Sequence, residues 1–67
     1  MNKNDATEFA TRNYQMLLDY GSSPADAFCG AIDNLTDTFG CEVHLPFAEL
    51  ETLSGLTWEQ AVEGATV

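Results

Sequence analysis

The segment that decides the fold is residues 23–40, which read SPADAFCGAIDNLTDTFG. Ser23 is a favoured N-cap residue, and Pro24 suits the first turn of a helix, where its missing N–H would have no intrahelical partner. Four large apolar residues then recur at spacings of four, three and four, as expected along one face of an α-helix: Phe28, Ile32, Leu35 and Phe39. Gly40 ends the pattern. The segment therefore predicts an amphipathic helix whose apolar stripe packs into a core.

A first helix is predicted over residues 5–20. Asp5 and Glu8 have the spacing of a capping box, in which the side chain of each residue accepts a hydrogen bond from the backbone N–H of the other. The expected core stripe follows at helical spacing and consists of Ala6, Phe9, Ala10, Asn13, Met16, Leu17 and Tyr20. Gly21 suits the position that follows a helix. The short loop before Pro24 predicts that the first two helices form an antiparallel hairpin or a sharply angled pair.

The remainder of the chain predicts two shorter helices. Residues 41–45 alternate like a strand and stop at Pro46, but no second strand is evident, so an extended connector near 41–46 is expected. A short helix is predicted over residues 47–53. Thr57 and Gln60 form a second capping-box pattern that begins a last helix, which runs to about residue 63. The sequence thus predicts one all-α domain over residues 1–67, a compact bundle of three to four short helices.

The charge of the chain is its most unusual property. The 67 residues include eleven acids against two basic residues, Lys3 and Arg12, for a net charge of −9. Asp5 and Glu8 precede residue 13, so the remaining nine acids share residues 13–67 with no Lys or Arg. Such a surface repels phosphates, which argues against direct binding of nucleic acid. No apolar run is long enough to span a bilayer and no signal peptide is evident, so a cytoplasmic protein without membrane contact is expected.

Three aspartates of the predicted second helix fall on one side of it. At about 100° per residue, Asp26, Asp33 and Asp37 lie within about 40° of one another and opposite the apolar stripe. Asp33 and Asp37 are four residues apart, a like-charge spacing that costs a few tenths of a kcal/mol. The same spacing recurs at Glu59 and Glu63. We therefore expect these five carboxylates to bind a partner, since a row of them resembles a row of backbone phosphates electrostatically.

In size, charge and helix content the whole chain resembles the small acidic proteins that mimic DNA. Many of those proteins are phage-encoded inhibitors of restriction or CRISPR machinery. The resemblance rests on overall character and on no sequence motif. It implies an inhibitor that occludes a positively charged surface of a nucleic-acid-binding protein or complex, in the host cytoplasm if the chain is phage-encoded, with no cofactor.

A second resemblance is to the last three helices of acyl or peptidyl carrier proteins, over residues 21–62. It is carried by Phe39-Gly40, by Glu42-Val43 with Pro46, and by Leu56-Thr57 with Ala61-Val62. In that family a serine at the start of the second helix carries phosphopantetheine. Counted back from Gly40, its position here is Ala25, and Ser22 and Ser23 are better explained as capping residues. The resemblance implies a carrier-like interaction module that lacks the usual prosthetic serine.

A further alternative is a homodimer that associates through an apolar patch including Tyr14, Leu18 and Trp58.

Catalytic and metal sites are not predicted. Cys41 and His44 have the spacing of half a zinc site, but a structural site needs four ligands and Cys29 is the sole further soft donor. Cys41 and His44 would also need an oxyanion hole and a substrate pocket in order to act as nucleophile and base, and a chain of this length does not readily enclose one. Both cysteines are expected to be reduced. The sequence therefore favours a binding protein over an enzyme.

Overall fold

The computed structural model describes residues 3–40 and 42–65. Over these ranges the chain forms four helices, α1 (Lys3–Asp19), α2 (Pro24–Phe39), α3 (Phe47–Ser54) and α4 (Trp58–Ala65). No strand occurs in either range, and residues 42–46 form a turn and irregular backbone that leads into α3. The predicted all-α bundle is therefore confirmed, and the connector expected to be extended near 41–46 contains a turn and a bend at residues 42 and 43. No helix within the described ranges is long and apolar enough to cross a bilayer.

Helix α2 begins and ends where its local sequence predicts. The Ser23 hydroxyl oxygen accepts a hydrogen bond of 3.2 Å from the backbone N–H of Asp26, and Pro24 occupies the first turn. Gly40 follows the last turn with a φ of 88°. Helix α1 ends in a Schellman motif, since Gly21 donates its backbone N–H to Leu18 and the next residue donates to Leu17, both at 3.0 Å. The φ of Gly21 is 97°, a conformation that a residue with a Cβ rarely adopts.

Helices α1 and α2 form an antiparallel hairpin. Phe9 packs edge-on against Phe39, with ring centroids 5.1 Å apart. The amide of Asn34 donates a hydrogen bond of 3.0 Å to the side-chain oxygen of Asn13. One turn further along α1, Leu17 reaches α2 at Gly30, where an added Cβ would lie 2.7 Å from the Leu17 Cδ1. From one contact to the next, the residue number rises along α1 and falls along α2. The helices thus run antiparallel and touch along most of their length, which excludes the sharply angled pair.

Helix α4 packs on α2 through the aromatic residue at its start. The predicted capping box is present. The Thr57 hydroxyl oxygen accepts a hydrogen bond of 3.2 Å from the backbone N–H of Gln60, and the backbone N–H of Thr57 donates one of 3.0 Å to the side-chain oxygen of Gln60. Trp58 lies 5.3 Å from Phe28 and 5.1 Å from Phe47, measured between ring centroids. It therefore joins α2, α3 and α4 at one point. Helix α3 also contacts both α1 and α2.

Two predictions about α1 are wrong. The helix begins at Lys3, so Asp5 lies within its first turn and is not the N-cap residue of a capping box. The core stripe is also shifted, because Met16 and Tyr20 are exposed while Tyr14 is buried. The apolar residues of α1 cover an arc of roughly 200° at 100° per residue; Met16 lies at its edge, and Tyr20 follows the last residue of the helix. The side that meets α2 and α3 becomes the core, and Ala6, Ala10 and Tyr14 lie on it.

Candidate functional site

The three aspartates predicted to bind a partner lie exposed on α2. Asp26, Asp33 and Asp37 are all solvent-exposed, and the opposite side of the helix is buried. We call these three residues the acidic ridge. Of the predicted apolar stripe, Phe28, Ile32 and Leu35 belong to the core. Phe39, at the last turn, is exposed. The ridge therefore faces solvent, as expected if the apolar stripe faces the core.

The packing of the other helices explains why the ridge stays open. The side of α2 that meets α1 carries Gly30 and Asn34. The side that meets α4 carries Ala25 and Phe28. At about 100° per residue, the acidic ridge falls between these two contact sides, on the part of the circumference opposite the buried Leu35 and Ala31. No element of the described chain is placed over it.

No described basic side chain pairs with the ridge. The Arg12 guanidinium forms an ion pair of 2.6 Å with the Glu8 carboxylate, one turn away on α1. None of the ridge carboxylates has an ion-pair partner among the described side chains. Because Arg12 is the last basic residue in the sequence, the helices that follow cannot supply one. The negative charge of the ridge is therefore available to a partner and to salt.

The negative charge of the ridge affects the thiol of Cys29. Its thiol is partly buried on α2, and its pKa is raised above the ordinary value, first by burial and then by the charges of Asp33 and Asp26. Both causes disfavour the thiolate, so Cys29 is less nucleophilic at neutral pH than an ordinary exposed cysteine. The second cysteine of the sequence, Cys41, lies outside the described residues.

The second predicted pair, Glu59 and Glu63, is exposed on α4. This helix meets α2 through Trp58 and Gly64. At about 100° per residue, the two glutamates project from the opposite side of α4, away from α2. They do not continue the acidic ridge and form a separate patch on an adjacent side of the bundle.

Another acidic residue, Glu51, has a role inside the fold. Its carboxylate accepts a hydrogen bond of 3.1 Å from the backbone N–H of Trp58, at the start of α4. An anion at this end of a helix is favoured by the unpaired N–H groups and by the helix dipole. Glu51 lies seven residues before Trp58, so no local capping motif indicates the contact.

Within residues 3–40 and 42–65, no three His, Cys, Asp or Glu side chains are grouped so that they could hold a metal ion. The pairing of Cys41 with His44 involves a residue outside those ranges. At the position where carrier proteins attach their prosthetic group, this chain has Ala25, while the hydroxyl of Ser23 caps α2.

Of the three residues proposed for a homodimer patch, Tyr14 is buried, whereas Leu18 and Trp58 are partly exposed. Tyr14 is 2% exposed and belongs to the core, and Trp58 packs against two phenylalanines. Apolar exposure occurs elsewhere, and around the end of α1 it is concentrated at Met16 and at Tyr20, the residue after the helix, which are 40% and 78% exposed. The position of Met16 at the edge of the apolar arc, and that of Tyr20 directly before Gly21, are sequence signals that could have indicated these two residues.

Comparisons of this chain with protein-family models, with curated protein sequences and with solved structures gave no match.

Proposed function

We propose that this chain is an acidic binding protein that occludes a positively charged, nucleic-acid-binding surface of a partner protein. One observation supports this function: the acidic ridge is exposed along α2 and no described basic side chain pairs with it. A surface that normally grips nucleic acid with Lys and Arg would find this ridge attractive, and the net charge of −9 would speed the encounter. The mechanism is steric and electrostatic, and it needs no catalysis and no cofactor.

The spacing of carboxylates along the ridge can be compared with the spacing of phosphates along DNA. Asp26 and Asp37 are eleven residues apart, which is about 16 Å along a helix. One strand of B-DNA carries about five phosphates over that distance, against three carboxylates here. The ridge is therefore too sparse to replace phosphates one by one. Its attraction for a basic surface includes the field of the other exposed acids, and contacts that are not ionic must complete the affinity.

Within this function we place the chain among inhibitors of the restriction or CRISPR type, acting in the cytoplasm where such machinery meets DNA or RNA. The target would be the groove or channel that holds the nucleic acid. Such a target predicts that duplex DNA or single-stranded RNA competes with the chain for the same site.

The test is affinity capture from a cell extract with three immobilised baits. The baits are the native chain, the variant Asp33→Asn/Asp37→Asn, and the matched control Glu59→Gln/Glu63→Gln, which also removes two charges. We expect the native chain to retain a nucleic-acid-binding protein that moderate salt elutes and that added nucleic acid displaces. The ridge variant should lose most of this protein, whereas the control should retain more of it, because its charges lie on another side of the bundle.

Folding of the ridge variant is checked by urea denaturation. Removal of the like-charge pair should leave its stability unchanged or raise it by about 0.2–0.5 kcal/mol. Retention of the same partner by the ridge variant, or a partner that nucleic acid does not displace, would contradict the proposed function.

A further inference from the structure

The two helices of the hairpin each have one covered flank and one open flank. Helix α1 meets α2 along Asn13 and Leu17. On one side of that line lies Tyr14, which is buried. On the other side, at about 100° per residue, lies Met16, which is exposed, and Tyr20, the first residue after α1, is exposed next to it. Tyr20 donates its backbone N–H to the Met16 carbonyl at 3.1 Å, so these two exposed apolar residues are neighbours one turn apart at the end of the helix.

The same division applies to α2. It meets α1 along Gly30 and Asn34. On one side of that line Leu35 is buried, and on the other side lies the acidic ridge. Helix α3 contacts both α1 and α2, so the covered flanks of the two helices face the same way. The open flanks must then also share one direction, which places Met16 and Tyr20 on the same surface as the acidic ridge.

This surface combines apolar anchors with a net negative charge, since Arg12, one turn before Met16, is already paired with Glu8. Tyr20 offers a rigid aromatic ring, a residue type that is enriched among those that dominate binding energy. Met16 offers a flexible thioether that adapts to different shapes. Beside them, Asp19 is exposed at the last position of α1, and the ridge lies across the hairpin. A partner that covers the apolar pair must therefore bring positive charge to its edges.

Charge also decides between the possible occupants. A second copy of this chain would place its own acids against Asp19 and the ridge, and two chains of net charge −9 repel each other, since Arg12 is already paired with Glu8. We propose that the open flank of the hairpin docks a cationic amphipathic protein segment, whose apolar side chains cover Met16 and Tyr20 while its Lys or Arg residues face the acidic ridge. This inference rests on the proposed function and adds the chemistry of the partner's contact segment, an amphipathic helix that lays its apolar face on the hairpin.

The test uses two synthetic peptides of equal length and equal lysine content. In the first, leucines occupy one face at helical spacing; in the second, serines replace them. Binding to the native chain is measured by titration calorimetry at low and at physiological ionic strength. We expect the leucine peptide to bind about tenfold more tightly, because burial of apolar anchors adds to the ionic contact. Its affinity should also persist at the higher ionic strength, at which the serine peptide is largely released.

Single and double substitutions show which residues of the chain contact the peptides. Tyr20→Ser should weaken the leucine peptide by about tenfold and leave the serine peptide unchanged, and Met16→Gln should act in the same direction. Leu53→Ser is the matched control, since Leu53 is 45% exposed on α3, away from the open flank. It should alter neither peptide. Asp33→Asn/Asp37→Asn should weaken both.

Different outcomes separate the two proposals. Equal affinity for the two peptides, or a loss with Leu53→Ser as large as that with Tyr20→Ser, would overturn the docking inference and leave the ionic function in place. Binding that ignores both salt and the ridge variant would remove the proposed function itself. Sedimentation of the native chain as a dimer that Tyr20→Ser dissociates would also overturn the inference, because a second copy would then be the occupant.

Discussion

The contact of Gly64 with Ala25 allows a stability prediction that can be worked from geometry. A Cβ added at Gly64 would lie 2.7 Å from the Cβ of Ala25. Carbon atoms in favourable contact are about 3.5–4.0 Å apart, so roughly 1 Å must be gained. The Ala25 methyl group is attached directly to the backbone and has no rotamer by which it could move away. Gly64→Ala therefore forces α4 away from α2 or unwinds its last turn.

Two opposing effects determine the size of the change. Replacement of Gly by Ala within a helix gains up to about 1 kcal/mol in conformational preference. Overpacking of a tight contact costs about 1–3 kcal/mol. We expect Gly64→Ala to lose about 1 kcal/mol net, which lowers the melting temperature of a domain of this size by roughly 4–8 °C.

Gly30 supplies the matched comparison. An added Cβ there would also meet an atom at 2.7 Å, but that atom is the Cδ1 of Leu17, at the end of a side chain that can change rotamer. Gly30→Ala should therefore be close to neutral or stabilising, although the initial overlap is the same.

Urea denaturation followed by circular dichroism measures the free energy of unfolding of both variants. Ala25→Gly should remove the obstacle, so Gly64→Ala should be less harmful in that background, with a coupling of about 1 kcal/mol. A Gly64→Ala variant that is at least as stable as Gly30→Ala, or additive effects with Ala25→Gly, would refute the packing argument.

Two further predictions concern the α1–α2 hairpin and the thiol beside the ridge. Asn34→Ala should cost about 1 kcal/mol of unfolding free energy, because it leaves the partly buried side-chain oxygen of Asn13 without its donor. A double-mutant cycle with Asn13→Ala should give a coupling of about 0.5–1.5 kcal/mol, and additivity would show that the hydrogen bond contributes nothing. In a Cys41→Ser background, Asp33→Asn should speed alkylation of Cys29 at neutral pH, since loss of a nearby negative charge lowers the thiol pKa and raises the thiolate fraction. The two rates should converge at a pH well above both thiol pKa values, and an unchanged rate at neutral pH would exclude the electrostatic influence of the ridge.

The sequence predicted the helix ends correctly where both residues of the capping hydrogen bond lie within one short motif. Ser23 caps α2 through a hydrogen bond that spans three residues, and Thr57 with Gln60 closes its box over the same distance. Asp5 is the exception, because α1 extends to Lys3 and its first turn starts before the motif. The capping role of Glu51 was not predicted, since it depends on the turn that brings α3 and α4 together.

The sequence by itself determined the distribution of charge and the alignment of the acidic ridge along one side of α2. Both depend only on residue order and on the helical repeat. Tertiary structure alone decided which part of the wide apolar arc of α1 is buried, and so left Met16 and Tyr20 beside the ridge while Tyr14 entered the core. It also decided that Glu59 and Glu63 face another direction. The physical reason is that burial depends on where α3 and α4 pack, and contacts between distant parts of a chain leave no local periodic signal.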